Sequence, residues 1–347
     1  MFRVAISVAR FTGFLLSALL LLALGAVNPV AHPTPTPFQD DDVVRIESDL
    51  TNLLFNANDK DGRFITSLRE SDIRVLEDGV PQMLFTFQRE TDRPLSIAFL
   101  IDVSISEERT LPQEKAAARV FIENVIRSSK DQAAIVPFEG YAHVEQPLTR
   151  DVLAILRTLE QVEVAYPTYL GSAPALTGIT SGPGTVAPPN EGSTAIWDSV
   201  ALTCRRVLAR DRAQRRRAII LLTDGQDSTS RLRRVDAIDQ AIQAETVVYA
   251  IGIGDKKYQG VNKGALREIA ERTGGRAFFP KKEDDLRSAF AEIEQELRSQ
   301  YLIAYSSANK KRDGAFRTIT VEITSPEFQK QGLKLRYRPG YFAKKGS

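Results

Sequence analysis

Two aspartates close apolar runs in this chain. Asp102 ends LSIAFLID and Asp224 ends AIILLTD. Asp102 opens Asp102-Val103-Ser104-Ile105-Ser106, with serines at i+2 and i+4, so both hydroxyls can converge with the carboxylate as the chain leaves the run. Thr194 stands in Gly192-Ser193-Thr194-Ala195, where a loop enters a helical pattern. Two carboxylates and three hydroxyls form an all-oxygen donor set. Hard divalent cations want such ligands, and Mg²⁺ takes about six oxygens in an octahedron. Five protein groups, some acting through water, leave a position for an oxygen from outside.

The surrounding pattern must place these residues together. LSIAFLID, QAAIVPF, RRAIILLTD and TVVYAIGIG are near-continuous apolar runs, which suit parallel strands covered on both faces. Helical stretches separate them. Pro112 to Arg127 carries Ala117, Val120, Phe121 and Val125 on one face, and Thr194 to Leu208 stacks Ile196, Val200, Cys204 and Leu208. Glu283 to Arg298 opens on three acids, as a helix N-terminus favours, and then places Leu286, Phe290, Ile293 and Leu297 on one stripe. Alternating strand and helix predicts a doubly wound, mostly parallel α/β sheet. Ligands of such a sheet bind outside the carboxyl ends of its strands, where Asp102 and Asp224 fall.

The flanks read differently. VVRIESDL, LLFNAND, RFITSL, IRVLED and PQMLFTF are short runs with turn signals at Asp61-Gly62 and Asp78-Gly79. YLIAYSS, FRTITVEIT and LKLRYRPGYF follow Gln300. Neither flank holds enough apolar residues for its own core, so pairing them is the economical solution. The expected organisation is a split antiparallel β-sandwich (43–93 and 300–343) into which the α/β domain (94–299) is inserted.

The D-x-S-x-S, G-S-T-A and T-D-G motifs, in this order on these strand ends, resemble the metal-ion-dependent adhesion site of von Willebrand factor A-type domains. By match, Asp102, Ser104, Ser106, Thr194 and Asp224 occupy its five positions. The flanks resemble an exported family related to these domains and noted in acidobacteria. Asp59-Lys60-Asp61-Gly62, Ser71-Asp72-Ile73 with Glu77-Asp78-Gly79, and Tyr337-Arg338-Pro339-Gly340-Tyr341 carry that likeness. The resemblance implies a non-enzymatic module that binds a protein ligand, with Mg²⁺ in the site (Mn²⁺ or Ca²⁺ as alternatives) and an acidic side chain of the partner completing the metal shell. In integrin-type members affinity is coupled to movement of the last helix. Here that helix would be Glu283 to Arg298, which runs directly into the strand at Tyr301.

Composition narrows the alternatives. The chain has 347 residues, 43% hydrophobic and 26% charged, which excludes wholesale disorder and a multi-span membrane protein. Its net charge of +2 argues against a globally basic nucleic-acid binder. One cysteine, Cys204, allows no intrachain disulfide, and a buried, inert thiol is its expected state. Of two histidines, His32 sits in a linker, and His143 is expected on a surface strand without a partner. Residues 1–27 carry Arg3, Arg10 and the apolar run Phe14 to Val27, of signal-peptide length. The expectation is a secreted, periplasmic or cell-surface protein, with an anchor over 11–27 as the alternative and no other membrane contact. Residues 28–42 read as a Pro/Thr/Asp spacer. The uncharged stretch from Tyr166 up to Glu191 is either a specificity loop at the site rim or a tolerated insertion. The arginine-rich stretch 205–217 is expected to be a helix end and a solvated loop. Asp59 to Gly62 is read as a hairpin turn rather than a calcium loop. Two other classes stand beside the binding module: a divalent-metal hydrolase, disfavoured because no general base accompanies the site, and a scaffold whose metal only stabilises the fold.

Overall fold

The computed structural model describes residues 50–89, 92–166, 193–209, 215–254 and 260–346. The leader, the spacer, most of the 166–191 stretch and Arg210 and Arg212 lie outside the described residues. Among those described, no helix is long and apolar enough to cross a membrane.

The chain enters the fold through β1 (Leu50–Asn58), β2 (Ile73–Glu77), β3 (Val80–Pro81) and β4 (Leu84–Arg89). The α/β layer follows as β5 (Leu95–Asp102), α1 (Leu111–Val125), β6 (Gln132–Phe138), β7 (Gln146–Thr149), α2 (Val152–Gln161), α3 (Ile196–Leu202) and β8 (Arg216–Thr223). It closes with α4 (Arg234–Gln243), β9 (Thr246–Gly252), α5 (Lys263–Arg272), β10 (Ala277–Phe278) and α6 (Glu283–Arg298). The chain returns through β11 (Tyr301–Ser306), β12 (Phe316–Ile323), α7 (Pro326–Gln331), β13 (Lys334–Tyr337) and β14 (Gly340–Phe342).

The central sheet runs β10-β9-β8-β5-β6-β7 and is parallel except for β7. Every residue of β5 is buried, as a strand covered on both faces requires. The period of two then sorts its side chains. Ile97, Phe99 and Ile101 pack with Phe121, Ile155 and Phe290 from α1, α2 and α6. Ala98 and Leu100 pack with Val200, Ile238 and Leu266 from α3, α4 and α5. From β5 the chain builds outward through β6 and β7, then crosses back to β8. The strand order therefore reverses between β5 and β8, the topological switch point where open α/β sheets place ligands.

The flanks pair as two four-stranded sheets, β13-β1-β11-β4 and β14-β12-β2-β3. β1 runs antiparallel to β11, and β2 antiparallel to β12, so strands from both ends of the chain complete each other. Leu53, Phe55, Tyr301 and Ile303 of one sheet share a core with Val75, Ile319 and Val321 of the other. The α/β fold is thus inserted in a split antiparallel β-sandwich, and Ser48–Ser347 forms one compact unit.

Local expectations differ in three places. RFITSL is not a strand. Phe64 makes only an isolated bridge to Asn58, and the Leu68 N–H donates to the Tyr301 hydroxyl (3.0 Å). LKLRYRPGYF is split between the two sheets at Arg338-Pro339, where proline lacks the N–H that continued pairing needs. The helix drawn from Thr194 to Leu208 changes at Thr203 into a π-helical segment, and the Ala209 N–H reaches back to the Cys204 carbonyl (3.0 Å). Cys204 is fully buried there, and burial pushes its thiol up to about 12. The native protein should therefore resist alkylation by iodoacetamide at pH 8 and react only on unfolding. Stoichiometric labelling of folded protein, read by mass spectrometry, would contradict this packing.

Candidate metal centre

Leaving β5, the chain turns at once. Asp102 Oδ1 accepts from the Ser104 N–H (3.0 Å) and the Ser104 hydroxyl (2.6 Å). Asp102 Oδ2 accepts from Thr223 Oγ1 at the end of β8 (2.5 Å). This bond spans the switch point and joins the two strand ends. Ser104 and Ser106 hydroxyl oxygens lie 3.1 Å apart, and a Ser106 hydroxyl bond to the Asp224 carboxylate ties the turn to the second aspartate. Asp224 Oδ1 accepts from the Gln226 N–H (2.8 Å), and its carbonyl accepts from the Asn262 N–H (2.7 Å). Two glycines permit this crowding. Gly225 holds φ +79°, and a Cβ on Gly254 would stand 2.8 Å from the Asp224 Cβ.

Thr194 is fixed through its backbone. Its N–H donates to Ser228 Oγ (2.8 Å), and its carbonyl accepts from the N–H groups of Ser228 (2.9 Å) and Thr229 (3.1 Å). The next residue, Ala195, donates to the Glu139 carbonyl at the end of β6 (2.7 Å). Asp227 caps α3. Its Oδ1 accepts from the Ile196 N–H (2.8 Å) and the Ser230 hydroxyl (2.5 Å). Removing this cap in Asp227→Ala should cost about 1 kcal/mol of stability. Because α3 starts beside Thr194, the same change should weaken cation affinity about tenfold. Equal Mg²⁺ affinity in the two proteins would show that Thr194 needs no such support.

Two buried acids escape the motif reading. Glu107 follows Ser106 on a short 3-10 turn and is fully buried. Its Oε1 accepts from the Asp224 N–H (3.1 Å), and its Oε2 accepts from the Thr110 hydroxyl. One carboxylate oxygen from each of Asp102, Glu107 and Asp224 falls within a 4.8 Å cluster. Glu114 lies behind it in the first turn of α1, also buried, and neither of its carboxyl oxygens has a hydrogen-bond partner. A signal for Glu114 is present in the sequence: it shares the apolar stripe of Leu111, Ala118 and Phe121. Glu107 has no such periodic signal, because a 3-10 turn rather than a helix face folds it inward.

Burial dominates the electrostatics. It pushes the Asp102 carboxyl above its usual range against hydrogen bonds from Ser104 and Thr223, and Asp224 Coulomb repulsion adds to the rise. Asp224 is raised by burial as well. Glu107 is raised by burial first and the neighbouring Glu114 next, and Glu114 chiefly by burial. Buried carboxyls this close favour protons unless a cation compensates them. Hard oxygen donors, mutual repulsion and the orphaned Glu114 oxygens together fit a divalent cation.

Other expected features lie elsewhere. His143 does have a partner: its Nε2 is 2.9 Å from Glu145 Oε1, and its ring lies against Tyr141. Arg216 is not solvated. It is buried, donates to the Leu297 carbonyl, and reaches Gln300 Oε1 (3.1 Å), where a charge can satisfy the end of α6. Asp59 is occupied by Arg63, through its N–H (2.9 Å) and its Nε (2.8 Å), as the hairpin reading requires.

Two family models, each described as von Willebrand factor type A domain, match residues 97–226 and 185–292. The chain carries a von Willebrand factor type A domain across the sheet and site just described. The structure is similar to a von Willebrand factor type A protein from Catenulispora acidiphila, at 14% identity and TM-score 0.47, over 87% of this chain and 76% of that one. It is similar to proximal thread matrix protein 1 from the mussel byssus, solved with zinc in its MIDAS motif, at 21% identity and TM-score 0.47, over 65% of this chain and 50% of that one. A third likeness is to the conserved hypothetical protein BatB from Bacteroides thetaiotaomicron, at 19% identity and TM-score 0.43, over 60% of this chain and 100% of that one. The match thus spans about half the length of the mussel protein. A comparison with curated proteins found no match.

Proposed function

We propose that this protein is an exported, non-enzymatic binding module that uses a divalent cation, Mg²⁺ first, to hold an acidic group of a partner protein. The observation that carries the reading is the convergence of buried carboxylate oxygens at the switch point of the sheet. Asp102, Ser104, Ser106, Thr194 and Asp224 would hold the ion. A bound divalent ion supplies a Lewis-acidic position for an incoming carboxylate oxygen. Around it the protein's own groups have distinct tasks. Thr223 and Ser104 orient the Asp102 carboxylate, the Gln226 N–H orients Asp224, and Ser228 holds the Thr194 backbone.

The state of Glu107 separates this reading from a purely stabilising metal. With Glu107 neutral, as its burial against Glu114 favours, only Asp102 and Asp224 balance the ion, which stays receptive to a partner's carboxylate. With Glu107 ionised as a third ligand, three negative charges face two positive ones, and the metal becomes a structural rivet. Glu107→Gln keeps Mg²⁺ affinity within about threefold in the first case and loses at least about tenfold in the second.

Contacts at the end of α6 support coupling of the site to the sandwich. Asn56 of β1 donates to the Glu296 carbonyl (2.9 Å), and Arg336 of β13 pairs with the buried Glu296 carboxylate (2.6 Å). Movement of α6 along its axis must break both.

The test is selection of binders from a displayed peptide library in Mg²⁺ and in EDTA. The expected binders require Mg²⁺, share an acidic residue, and lose binding when that residue becomes its amide. Binders that persist in EDTA, or that ignore the amide change, would overturn the reading.

A further inference from the structure

We infer that the partner is an acid-rich peptide whose further acids are read by a cationic patch on α5 and just before α6, an assignment that rests on the metal centre being a carboxylate site.

The patch lies on the same face as the metal centre. In a parallel sheet each helix starts beside the carboxyl end of the strand before it. α5 follows β9 and α6 follows β10, so both open on the face where Asp102 ends β5 and Asp224 follows β8. The Asn262 N–H donates to the Asp224 carbonyl (2.7 Å), and Asn262 Oδ1 caps α5 through the Ala265 N–H (3.2 Å). Lys263, the first residue of α5, thus begins one residue after a contact with the metal centre.

Four cations gather there. Phe279 packs at the end of β9, where a Cβ on Gly252 would stand 2.7 Å from its ring. Lys263 Nζ lies 5.4 Å, and the Arg267 guanidinium 5.1 Å, from the centroid of that ring. An aromatic face holds a cation in place without cancelling its charge. Lys281 and Lys282 follow Phe279 after one proline, and all four cationic residues are exposed. Among the described residues, none of the four has a carboxylate within ion-pair distance. Neighbouring acids are engaged elsewhere: Glu268 by Arg234 (2.7 Å) and Arg272 (3.5 Å), Glu283 by Arg287, and Asp285 by the Lys281 N–H (3.1 Å). Of the three acids that open α6, this leaves Asp284.

Stability of the fold does not favour this arrangement. Lys263 and Arg267 stand at i and i+4, where like charges repel, and Lys263 opens a helix, where the dipole disfavours a cation. α6 shows the opposite choice, with three acids in its first turn.

Spacing selects a peptide. The ends of β8 and β10 are two strands apart, about 10 Å. An extended peptide covers that in about three residues. With one acid on the cation and others about three residues away, a single chain meets both groups at once, and the second contact forms at high effective concentration. A lone carboxylate reaches the metal alone.

The probes are fluorescent Gly/Ser peptides, one with a single central glutamate and one with further glutamates beginning about three residues away on each side. Their affinities for the full chain are measured in Mg²⁺ and in EDTA. In Mg²⁺ the acid-rich peptide should bind at least about tenfold more tightly than the single-acid peptide, and this ratio should fall as salt rises. Lys263→Gln with Arg267→Gln, and separately Lys281→Gln with Lys282→Gln, should each cut the ratio by about threefold or more, with no fall in melting temperature. A ratio near unity, or a ratio that both double variants leave intact, overturns the assignment even where the single-acid peptide binds with Mg²⁺. Acid-rich binding that persists in EDTA and is lost in the variants keeps the patch and overturns the metal reading. No binding of either peptide overturns both. Stronger competition by a heparin oligosaccharide than by unlabelled acid-rich peptide overturns the peptide as occupant.

Discussion

Glu77→Ala should destabilise the protein by about 3–5 kcal/mol, because it removes the buried carboxylate that faces a buried arginine. Both Glu77 and Arg317 side chains are only 2% exposed. The carboxylate also receives the hydroxyls of Tyr305, Tyr341 and Ser307. Alanine would take this acceptor from one buried cation and three hydroxyls, and Arg317 would keep only the Asn309 and Lys311 carbonyls and the more distant Asp313 (3.7 Å). Scaled by size, the melting temperature should fall by roughly 10 °C. Glu77→Gln keeps one acceptor oxygen and should fall less. Arg74→Ala gives the contrast: its pair with Glu322 is close (2.6 Å) but half exposed on both sides, and its loss should cost under about 1 kcal/mol. Thermal and urea denaturation of the three variants would check the order. Equal losses for Glu77→Ala and Arg74→Ala would show that the buried network does not hold the two sheets.

The second large effect concerns the cation. In wild type, Mg²⁺ at about a hundred times its dissociation constant should stabilise the fold by about 2.7 kcal/mol. In Asp102→Ala that shift should vanish, since the variant removes one of two charges and the acceptor that Ser104 and Thr223 share. The pH dependence has a definite sign. Burial raises the carboxyls of Asp102, Glu107, Glu114 and Asp224 above their unfolded values, so the metal-free folded state holds more protons than the unfolded chain. Their contribution to stability is therefore present below the unfolded pKa values and is lost as pH rises through the folded ones. Mg²⁺ must displace those protons, so its stabilising effect should grow over the same interval. Melting curves of wild type and Asp102→Ala at pH 5, 6, 7 and 8, with Mg²⁺ and with EDTA, separate this from titration elsewhere. A Mg²⁺ shift that shrinks as pH rises would contradict the origin assigned to it.

The sequence was most informative where periodicity and chemistry coincide. The fully buried strands show as unbroken apolar runs, and α6 shows as a stripe bounded by acids, because burial on two faces or one leaves a direct trace in residue type. Asp102 and Asp224 are legible for a related reason: a carboxylate directly after such a run must sit at a strand end. The pairing of the flanks follows from unmet core requirements. What stayed hidden depends on tertiary partners. Glu107 is folded inward by a single 3-10 turn, and its neighbours Asp224 and Glu114 come from β8's end and α1. Arg216 looks like one member of a solvated cluster until the end of α6 is placed against it. RFITSL has strand-like residues, but its Leu68 N–H and Ile65 carbonyl are bonded by the Tyr301 hydroxyl rather than by a ladder.

The presence of a cation at the switch point is tested most directly by calorimetric titration of Mg²⁺ into the full chain at pH 7, repeated in two buffers of different ionisation enthalpy. Saturable one-to-one binding, with protons released to the buffer, is the expected result. No saturable heat from Mg²⁺, Mn²⁺ or Ca²⁺, in protein shown to be folded by circular dichroism, would mean that the clustered oxygens of Asp102, Glu107 and Asp224 hold protons and not a metal.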